Sequence, residues 1–201
     1  MSLIQRMGFQ DPDKKDPKHE LVCRYLADDI VSHLLMNSIK EKEFSTSPEK
    51  QIPLPTNREV AICKGTGHYK THVGFIDVLL QMSVLKITEG SELVKGEWEP
   101  REWKEWRTVG VFIEVKTNRE PLGDFIRQIN LYREHWLAVP LCRSQGEPIR
   151  RFYLVTTFPL SSSELDDLAR ADIGHRMISE KCFNDWLQEQ KETPIPAQSE
   201  I

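Results

Sequence analysis

The sequence predicts an α/β domain with a central mixed β-sheet flanked by helices. Apolar residues recur at helical spacing from about residue 17 to 38, which indicates a long amphipathic helix. Residues 72–80 and 109–116 are rich in β-branched and aromatic side chains and indicate two buried strands. A strand, a helix and a second strand follow one another between residues 109 and 157, which is typical of parallel strands joined by a crossover helix.

Length and composition indicate a single globular domain. The 201 residues suffice for one domain with a sizeable core, and 39% hydrophobic with 29% charged residues is typical of a globular protein. No run of about 18 apolar residues and no signal-peptide segment occurs, so we expect a cytoplasmic protein with no membrane partner. We divide the chain into a flexible arm (1–16), a domain (17–190) and a loose tail (191–201).

The N-terminal elements are delimited by capping residues and prolines. Asp16 is a candidate N-cap, and Pro17 then occupies the first helical position, where proline is favoured. Residues 51–55 are apolar but interrupted by prolines, which fits an edge strand. Residues 58–63 continue in extended conformation. The helix that begins at Pro17 is therefore expected to be followed by strands at one edge of the sheet.

Residues 81–108 are the least regular part of the predicted domain. They hold Trp98, Trp103 and Trp106 among many charged residues. We interpret the segment as a Trp-rich insertion or as a hairpin on the sheet edge. The three indoles could stack on unpaired bases, cover a sheet edge or form a dimer contact, and packing is the favoured interpretation.

The C-terminal half alternates helices and a strand. A helix is predicted over 121–137, a strand over 151–157 and a last short helix over 181–190. Ser161 is an N-cap candidate, and Glu164 stands at the position that closes a capping box. A further helix is therefore expected to begin at Ser161.

Two acidic residues interrupt apolar strands. Asp77 follows Gly-Phe-Ile, and Glu114 follows Val-Phe-Ile. A carboxylate buried in such a strand is costly unless it is paired or binds a metal ion. Glu114 and Lys116 are two residues apart, so on a strand their side chains share a face. The simplest alternative for this pair is a weak surface salt bridge.

The order of these motifs resembles the PD-(D/E)XK nuclease superfamily, and in particular its RecB-like branch. Members share a restriction-endonuclease-like core in which a strand with Asp precedes a strand with (D/E)-x-K and a helix with Gln-x-x-x-Tyr. The resemblance extends over residues 17–157, with a long interval between the two acidic residues that we assign to the Trp-rich segment. The matching parts are Gly74-Phe75-Ile76-Asp77, Ile113-Glu114-Val115-Lys116 and the helical pair Gln128 and Tyr132.

The resemblance implies a metal-dependent nuclease that hydrolyses phosphodiester bonds in DNA. Asp77, Glu114 and the backbone carbonyl of Val115 would bind Mg²⁺ or Mn²⁺, since these hard cations prefer oxygen ligands. The metal would polarise the phosphate and lower the pKa of an attacking water. Lys116 would orient that water and offset charge in the transition state.

Three further residues are candidates through the same resemblance. Glu20, in the first turn of the N-terminal helix, would hold a second metal or its water. Its alternative is a carboxylate favoured by the helix dipole, and we weigh the two equally. Gln128 and Tyr132, four residues apart on one helix face, would position Lys116, the metal shell or a phosphate. Their alternatives are solvent exposure for Gln128 and core packing for Tyr132.

Charge and motif content constrain the partners. The net charge of −4 counts mildly against a passive, high-affinity DNA binder, and no P-loop motif for ATP is present. Arg119, Arg127 and Arg133 flank these elements and are weaker candidates for contacts to phosphate, with simple solvation at the surface as the favoured alternative. DNA is the expected partner, with RNA, a homodimer and a partner subunit left open.

Cysteine and histidine spacing argues against zinc. The four cysteines include no closely spaced pair, and the six histidines show no HxH spacing. His68 and His72 are four residues apart, but across a predicted turn and strand rather than on one helix, so no zinc site is expected. The alternative function is a catalytically silent nucleic-acid-binding or assembly subunit that retains the nuclease fold.

Overall fold

The computed structural model describes most of the predicted domain. The described residues are 16–28, 31, 32, 35, 51–64, 71–135 and 148–192, with the backbone alone described at 51–55, 86–88 and 190–192. The elements in chain order are α1 (Pro17–Ala27), β1 (Gln51–Lys64), β2 (Thr71–Val94), β3 (Glu97–Lys116), α2 (Leu122–His135), β4 (Ile149–Thr156), α3 (Ser162–Arg170), β5 (Ile173–Met177) and α4 (Glu180–Glu192).

The described strands form one mixed sheet of five strands in the order β1-β2-β3-β4-β5. β1, β2 and β3 pair antiparallel, whereas β3, β4 and β5 pair parallel. The α/β class, the mixed sheet and the parallel strands on either side of α2 are therefore confirmed. β5 has no counterpart among the predicted elements, because its five residues, Ile-Gly-His-Arg-Met, form no apolar run.

Helices cover both faces of the sheet. Along β3, alternate side chains point to opposite faces, so Val111 and Ile113 enter one core while Phe112 enters the other. Leu26 of α1 and Phe183 of α4 pack in the first core. α2 and α3 supply the second core through Phe125, Ile129, Tyr132 and Leu168. None of the helices in the described residues has the length and apolar character needed to cross a membrane.

The first helix is shorter than its apolar periodicity predicts. It ends at Ala27, since Asp28 is extended with φ −62° and ψ 137°. The Asp28 carboxylate accepts a hydrogen bond from the Val31 N–H at 3.4 Å and another from the Trp186 indole at 3.0 Å. Residues 31, 32 and 35 are again helical. The prediction of one helix over 17–38 was therefore wrong, because Asp28 caps a new helical segment.

Capping residues predicted from the sequence lie where they were expected. Asp16 caps α1 by accepting from the Lys18 N–H at 3.0 Å, and Pro17 follows it. Ser161 and Glu164 form the reciprocal capping box of α3. α4 extends to Glu192, two residues into the segment expected to be a loose tail.

Residues 81–108 form the distal part of a long hairpin that continues the central strands β2 and β3. The register runs without a shift from Val78–Ile113 to Val94–Glu97. Lys95 and Gly96 make the turn with φ of 51° and 90°, as a tight two-residue hairpin turn requires. Trp98 is 72% exposed and Trp103 is 43% exposed, so Trp98 does not cover the sheet edge within one chain.

A glycine allows the second core to close over β2. Gly74 is buried beneath the ring of Tyr132 on α2, and a Cβ atom at this position would lie 2.6 Å from Tyr132 Cζ and closer still to the hydroxyl. The absent side chain is therefore what lets the phenol approach the strand.

We predict that Gly74→Ala lowers the free energy of unfolding by about 1–3 kcal/mol, because overpacking forces the tyrosine out of position. Gly123→Ala is the matched control, since nothing lies within 4 Å of a Cβ there. It lies near the start of α2, where alanine is the better helix former, and should stabilise by up to about 1 kcal/mol. Chemical denaturation of both variants measures the difference, and equal stability would contradict this account of the packing.

Candidate active site

The candidate site lies where β2 and β3 separate. Their pairing reaches Val78–Ile113 and goes no further towards the end of β3. Beyond that pair the Val115 N–H donates to Asp77 Oδ2 at 2.7 Å. The carboxylate therefore takes the place of a strand partner. Ile76 and Val78 belong to different cores although they are two residues apart, so β2 is irregular at Asp77.

Glu114 is buried beside Asp77, with 6% of the residue exposed. Its Oε1 accepts from Gln128 Nε2 at 3.2 Å and lies 3.9 Å from Lys116 Nζ. Its Oε2 is buried and has no hydrogen-bond partner among the described residues. Burial, and then the negative charge of Asp77, raise the pKa of Glu114 well above its usual range.

Lys116 lies between two carboxylates. Its Nζ is 2.9 Å from Glu120 Oε2 and 3.9 Å from Glu114 Oε1. Burial alone would lower the pKa of Lys116, but Glu114 and Glu120 outweigh that effect and the pKa is raised. The amine is therefore held in its charged form at neutral pH, next to the buried glutamate.

A hydrogen-bonded chain from α2 supports Glu114. Gln128 Nε2 also contacts the Tyr132 hydroxyl at 2.5 Å, and that hydroxyl donates to the Phe75 carbonyl at 3.2 Å. Tyr132 is 3% exposed, and burial first of all raises the pKa of its phenol. Gln128 thus contacts Glu114 directly, whereas Tyr132 lies behind it and belongs to the core.

Helix α1 supplies two residues that the sequence interpretation missed. His19 Nε2 lies 3.2 Å from Asp77 Oδ2, and Cys23 Sγ lies 3.7 Å from His19 Nδ1. The contact with Asp77 raises the pKa of His19. Their spacing of four residues, which places both on one helix face, was the available signal. The zinc patterns sought in the sequence, CxxC, HxH and HxxxH, do not include a mixed His-x-x-x-Cys pair.

Glu20, the remaining candidate on α1, pairs with a different residue. Its Oε1 lies 2.6 Å from Arg58 Nη2 of β1. The ion pair links the helix to the edge of the sheet and occupies one carboxylate oxygen.

The arginines assigned to phosphate contacts have partners within the protein. Arg119 donates to the Pro159 carbonyl at 2.7 Å, and Arg127 pairs with Asp124. Arg133 donates to the Ala171 and Asp172 carbonyls, each at 2.6 Å. Arg133 therefore ties α2 to the end of α3.

The structure thus brings together Asp77, Glu114 and Lys116, with Gln128 and Tyr132 behind Glu114. Val115 contributes its N–H to Asp77. Residues from three segments of the chain, on β2, β3 and α2, therefore converge on the point where two strands separate. This arrangement can hold a cation between carboxylates and keep an ammonium group beside it.

Comparisons with known proteins add little to this geometry. No protein-family model matches the sequence, and no curated protein matches it significantly. Among solved structures, the crystal structure of protein VC1899 from Vibrio cholerae matches with 13% sequence identity and a TM-score of 0.33. The match covers 81% of this chain and 32% of that one, so the chain spans about a third of its length. We draw no conclusion about fold or function from this similarity.

The buried Glu114 gives a prediction about stability in the absence of metal. A carboxyl group whose pKa is raised by folding binds its proton more tightly in the folded state, so stability falls as pH rises above about 4.3, the usual value for glutamate. The loss is complete once pH exceeds the raised pKa. We expect Glu114→Gln to stabilise the protein at pH 8 in EDTA by about 1 kcal/mol or more, with the gain disappearing near pH 4.

The matched control is Glu134→Gln, on the exposed face of α2. This change should alter the free energy of unfolding by less than about 0.5 kcal/mol at either pH. Thermal or urea unfolding at the two pH values makes the comparison. A parent protein that is more stable than Glu114→Gln at pH 8 would show that the carboxylate is well compensated without metal.

Proposed function

We propose that the chain is a metal-dependent nuclease that hydrolyses phosphodiester bonds in DNA, built on a restriction-endonuclease-like core of the PD-(D/E)XK class. One observation carries the proposal: Asp77 and Glu114 converge where β2 and β3 separate, and Lys116 lies 3.9 Å from Glu114. The strand that carries Asp77, the strand that carries Glu114 and Lys116, and the helix that carries Gln128 and Tyr132 also follow one another in the order that the resemblance implies.

The residues fit a hard divalent cation. Glu114 Oε2 is buried without a hydrogen-bond partner among the described residues, although a carboxylate oxygen in such surroundings is costly unless compensated. The Val115 N–H fixes Asp77 Oδ2 and so orients the second carboxylate. Oxygen ligands of this kind suit Mg²⁺ or Mn²⁺, which Asp77, Glu114 and the Val115 carbonyl would hold.

The roles of the protein groups follow from their positions. When bound, the metal supplies Lewis-acid polarisation of the scissile phosphate. Lys116, charged and adjacent to Glu114, stabilises the negative charge that grows on the phosphorane-like transition state and orients the attacking water. Glu120 restrains the ammonium at 2.9 Å, so it acts as a positioning residue.

Gln128 and Tyr132 act through Glu114. The amide of Gln128 contacts Glu114 Oε1, and the Tyr132 hydroxyl restrains that amide from the other side. The side chain of Glu114 is thereby fixed in one orientation before a cation arrives. Such preorganisation lowers the cost of binding a metal ion and of aligning the phosphate.

We predict that Asp77→Asn, Glu114→Gln and Lys116→Ala each reduce Mg²⁺- or Mn²⁺-dependent DNA cleavage by at least about a hundredfold, since each removes a charge that acts in the transition state. The assay uses linear and circular DNA, single- and double-stranded, with metal or EDTA. Circular substrates separate internal cleavage from digestion at ends.

The controls are Asp166→Asn and Lys181→Ala, which change exposed residues of α3 and α4 outside the site. Both should cut at the parental rate. Cleavage that persists in Lys116→Ala would indicate a contaminant. Intact DNA with every substrate, together with absence of Mn²⁺ binding by calorimetry, would overturn the proposal and favour a catalytically silent nucleic-acid-binding subunit.

We predict a smaller effect for Gln128→Ala, because the amide acts by positioning. The apparent affinity for Mn²⁺ should weaken by about ten- to a hundredfold, the range for residues that orient metal ligands. Saturating Mn²⁺ should restore most of the cleavage rate, whereas it should not rescue Glu114→Gln. A Gln128→Ala enzyme that stays slow at saturating metal would instead assign the amide to substrate or transition state.

A further inference from the structure

A second set of potential ligands lies on the α1 side of Asp77. His19 Nε2, Cys23 Sγ and an Asp77 carboxylate oxygen all lie within 4.8 Å of one another. His19 Nε2 lies 3.2 Å from Asp77 Oδ2 and 3.9 Å from Cys23 Sγ. One imidazole, one thiol and one carboxylate therefore lie close enough together to share one ion.

These separations match the edges of a tetrahedral zinc site. Zinc binds nitrogen and oxygen at about 2.0–2.2 Å and sulfur at about 2.3 Å, so neighbouring ligand atoms lie about 3.3–3.6 Å apart. The two separations from His19 Nε2 differ from these values by a few tenths of an ångström. Because Cys23 Sγ lies almost equally far from both ring nitrogens, at 3.7 and 3.9 Å, it is not on the lone-pair axis of either one. The imidazole must therefore turn about its Cβ–Cγ bond to direct Nε2 at an ion shared with the thiol. Three protein ligands leave a fourth position open to water or to a substrate oxygen.

The ligands are held in place before any ion binds. Asp16 accepts a hydrogen bond from the Thr117 hydroxyl at 2.7 Å, which fixes the start of α1 to the residue after Lys116. Val22 and Leu26, on either side of Cys23, are buried in the core beneath α1. His19 and Cys23 therefore cannot move away from Asp77 without disturbing the packing of the helix.

We infer that His19, Cys23 and Asp77 form a binding site for a thiophilic divalent cation, Zn²⁺ in particular. Thiolate and imidazole ligands favour zinc over magnesium, which prefers oxygen ligands alone. The site shares Asp77 with the proposed nuclease centre, and its other two ligands come from α1.

The thiol loses its proton when the ion binds. Burial first of all, and then Asp77, raise the pKa of Cys23, so the free site holds a neutral thiol. A divalent cation reverses this preference, because the thiolate is the form that coordinates metal. His19 Nε2 also gives up the proton that it directs at Asp77, since only an unprotonated ring nitrogen coordinates metal. The released protons leave to the buffer, and no redox change occurs.

Co²⁺ titration of the full-length protein tests the site directly, since Co²⁺ reports tetrahedral thiolate coordination in its absorption spectrum. The protein carries Cys63→Ser, Cys142→Ser and Cys182→Ser, which leaves Cys23 as the remaining thiol and excludes the Cys63–His72 contact at 4.0 Å. We expect one Co²⁺ per chain, tetrahedral ligand-field bands and a thiolate charge-transfer band, all abolished by one equivalent of Zn²⁺. An octahedral spectrum without charge transfer would overturn the inference.

Two substitutions in the same background complete the test. Cys23→Ala should remove the charge-transfer band. His19→Ala should weaken Zn²⁺ binding by more than about tenfold, since losing a ligand exceeds the loss of a supporting contact. Circular dichroism confirms that each variant is folded. Tetrahedral Co²⁺ binding of unchanged affinity in folded Cys23→Ala would overturn the assignment. If either variant fails to fold, the spectrum of the protein that retains Cys23 alone is the deciding result.

One consequence rests on the proposed function. Because Asp77 belongs to both sites, Zn²⁺ should inhibit Mg²⁺-dependent cleavage. The Zn²⁺ concentration that halves the cleavage rate should be at least about tenfold higher for Cys23→Ala than for the parent, when the rate of each protein is normalised to its own rate without Zn²⁺. Equal inhibition of both proteins would overturn this regulatory role. A chain that binds Co²⁺ through Cys23 but does not cut DNA would retain the metal site and reject the nuclease, so the two failures are distinguishable.

Discussion

The separation of β2 from β3 beyond the Val78–Ile113 pair determines where every polar group of the candidate site lies. A backbone N–H inside a sheet needs a partner, because an unpaired buried donor costs about 1–3 kcal/mol. The Val115 N–H meets this need through the Asp77 carboxylate at 2.7 Å. The hydrogen bond to a charged acceptor therefore stabilises the end of β3 and, at the same time, fixes Asp77 next to Glu114.

The two carboxylates then face helices on opposite sides of the sheet. Asp77 contacts His19 of α1, and Glu114 contacts Gln128 of α2. Each helix is anchored by its own apolar core, so the carboxylates are restrained independently. One site between two helices can thus offer a set of oxygen ligands towards α2 and a mixed imidazole–thiol set towards α1, with Asp77 common to both.

The parts of this arrangement that sequence predicts are those governed by local rules. Asp77 and Glu114 are conspicuous because an acid in an apolar strand is costly, and Ser161 with Glu164 follows the reciprocal rule of helix capping. The end of α1 depended on the contact between Asp28 and Trp186, 158 positions apart. Likewise, nothing local links His19 to Asp77, so that contact became visible only with the packing of α1 on the sheet.

The buried negative charges of the site favour the binding of a cation. Glu114 is buried with one oxygen unpaired among the described residues, and Glu120 already occupies Lys116 at 2.9 Å. Without metal, the cluster of Asp77 and Glu114 therefore opposes folding, and a divalent cation between them offsets that cost. The identity of the cation follows from ligand chemistry: an ion that prefers oxygen is drawn towards Glu114, whereas one that prefers sulfur is drawn towards Cys23. Competition for Asp77 would then couple the occupancy of one side to the activity of the other.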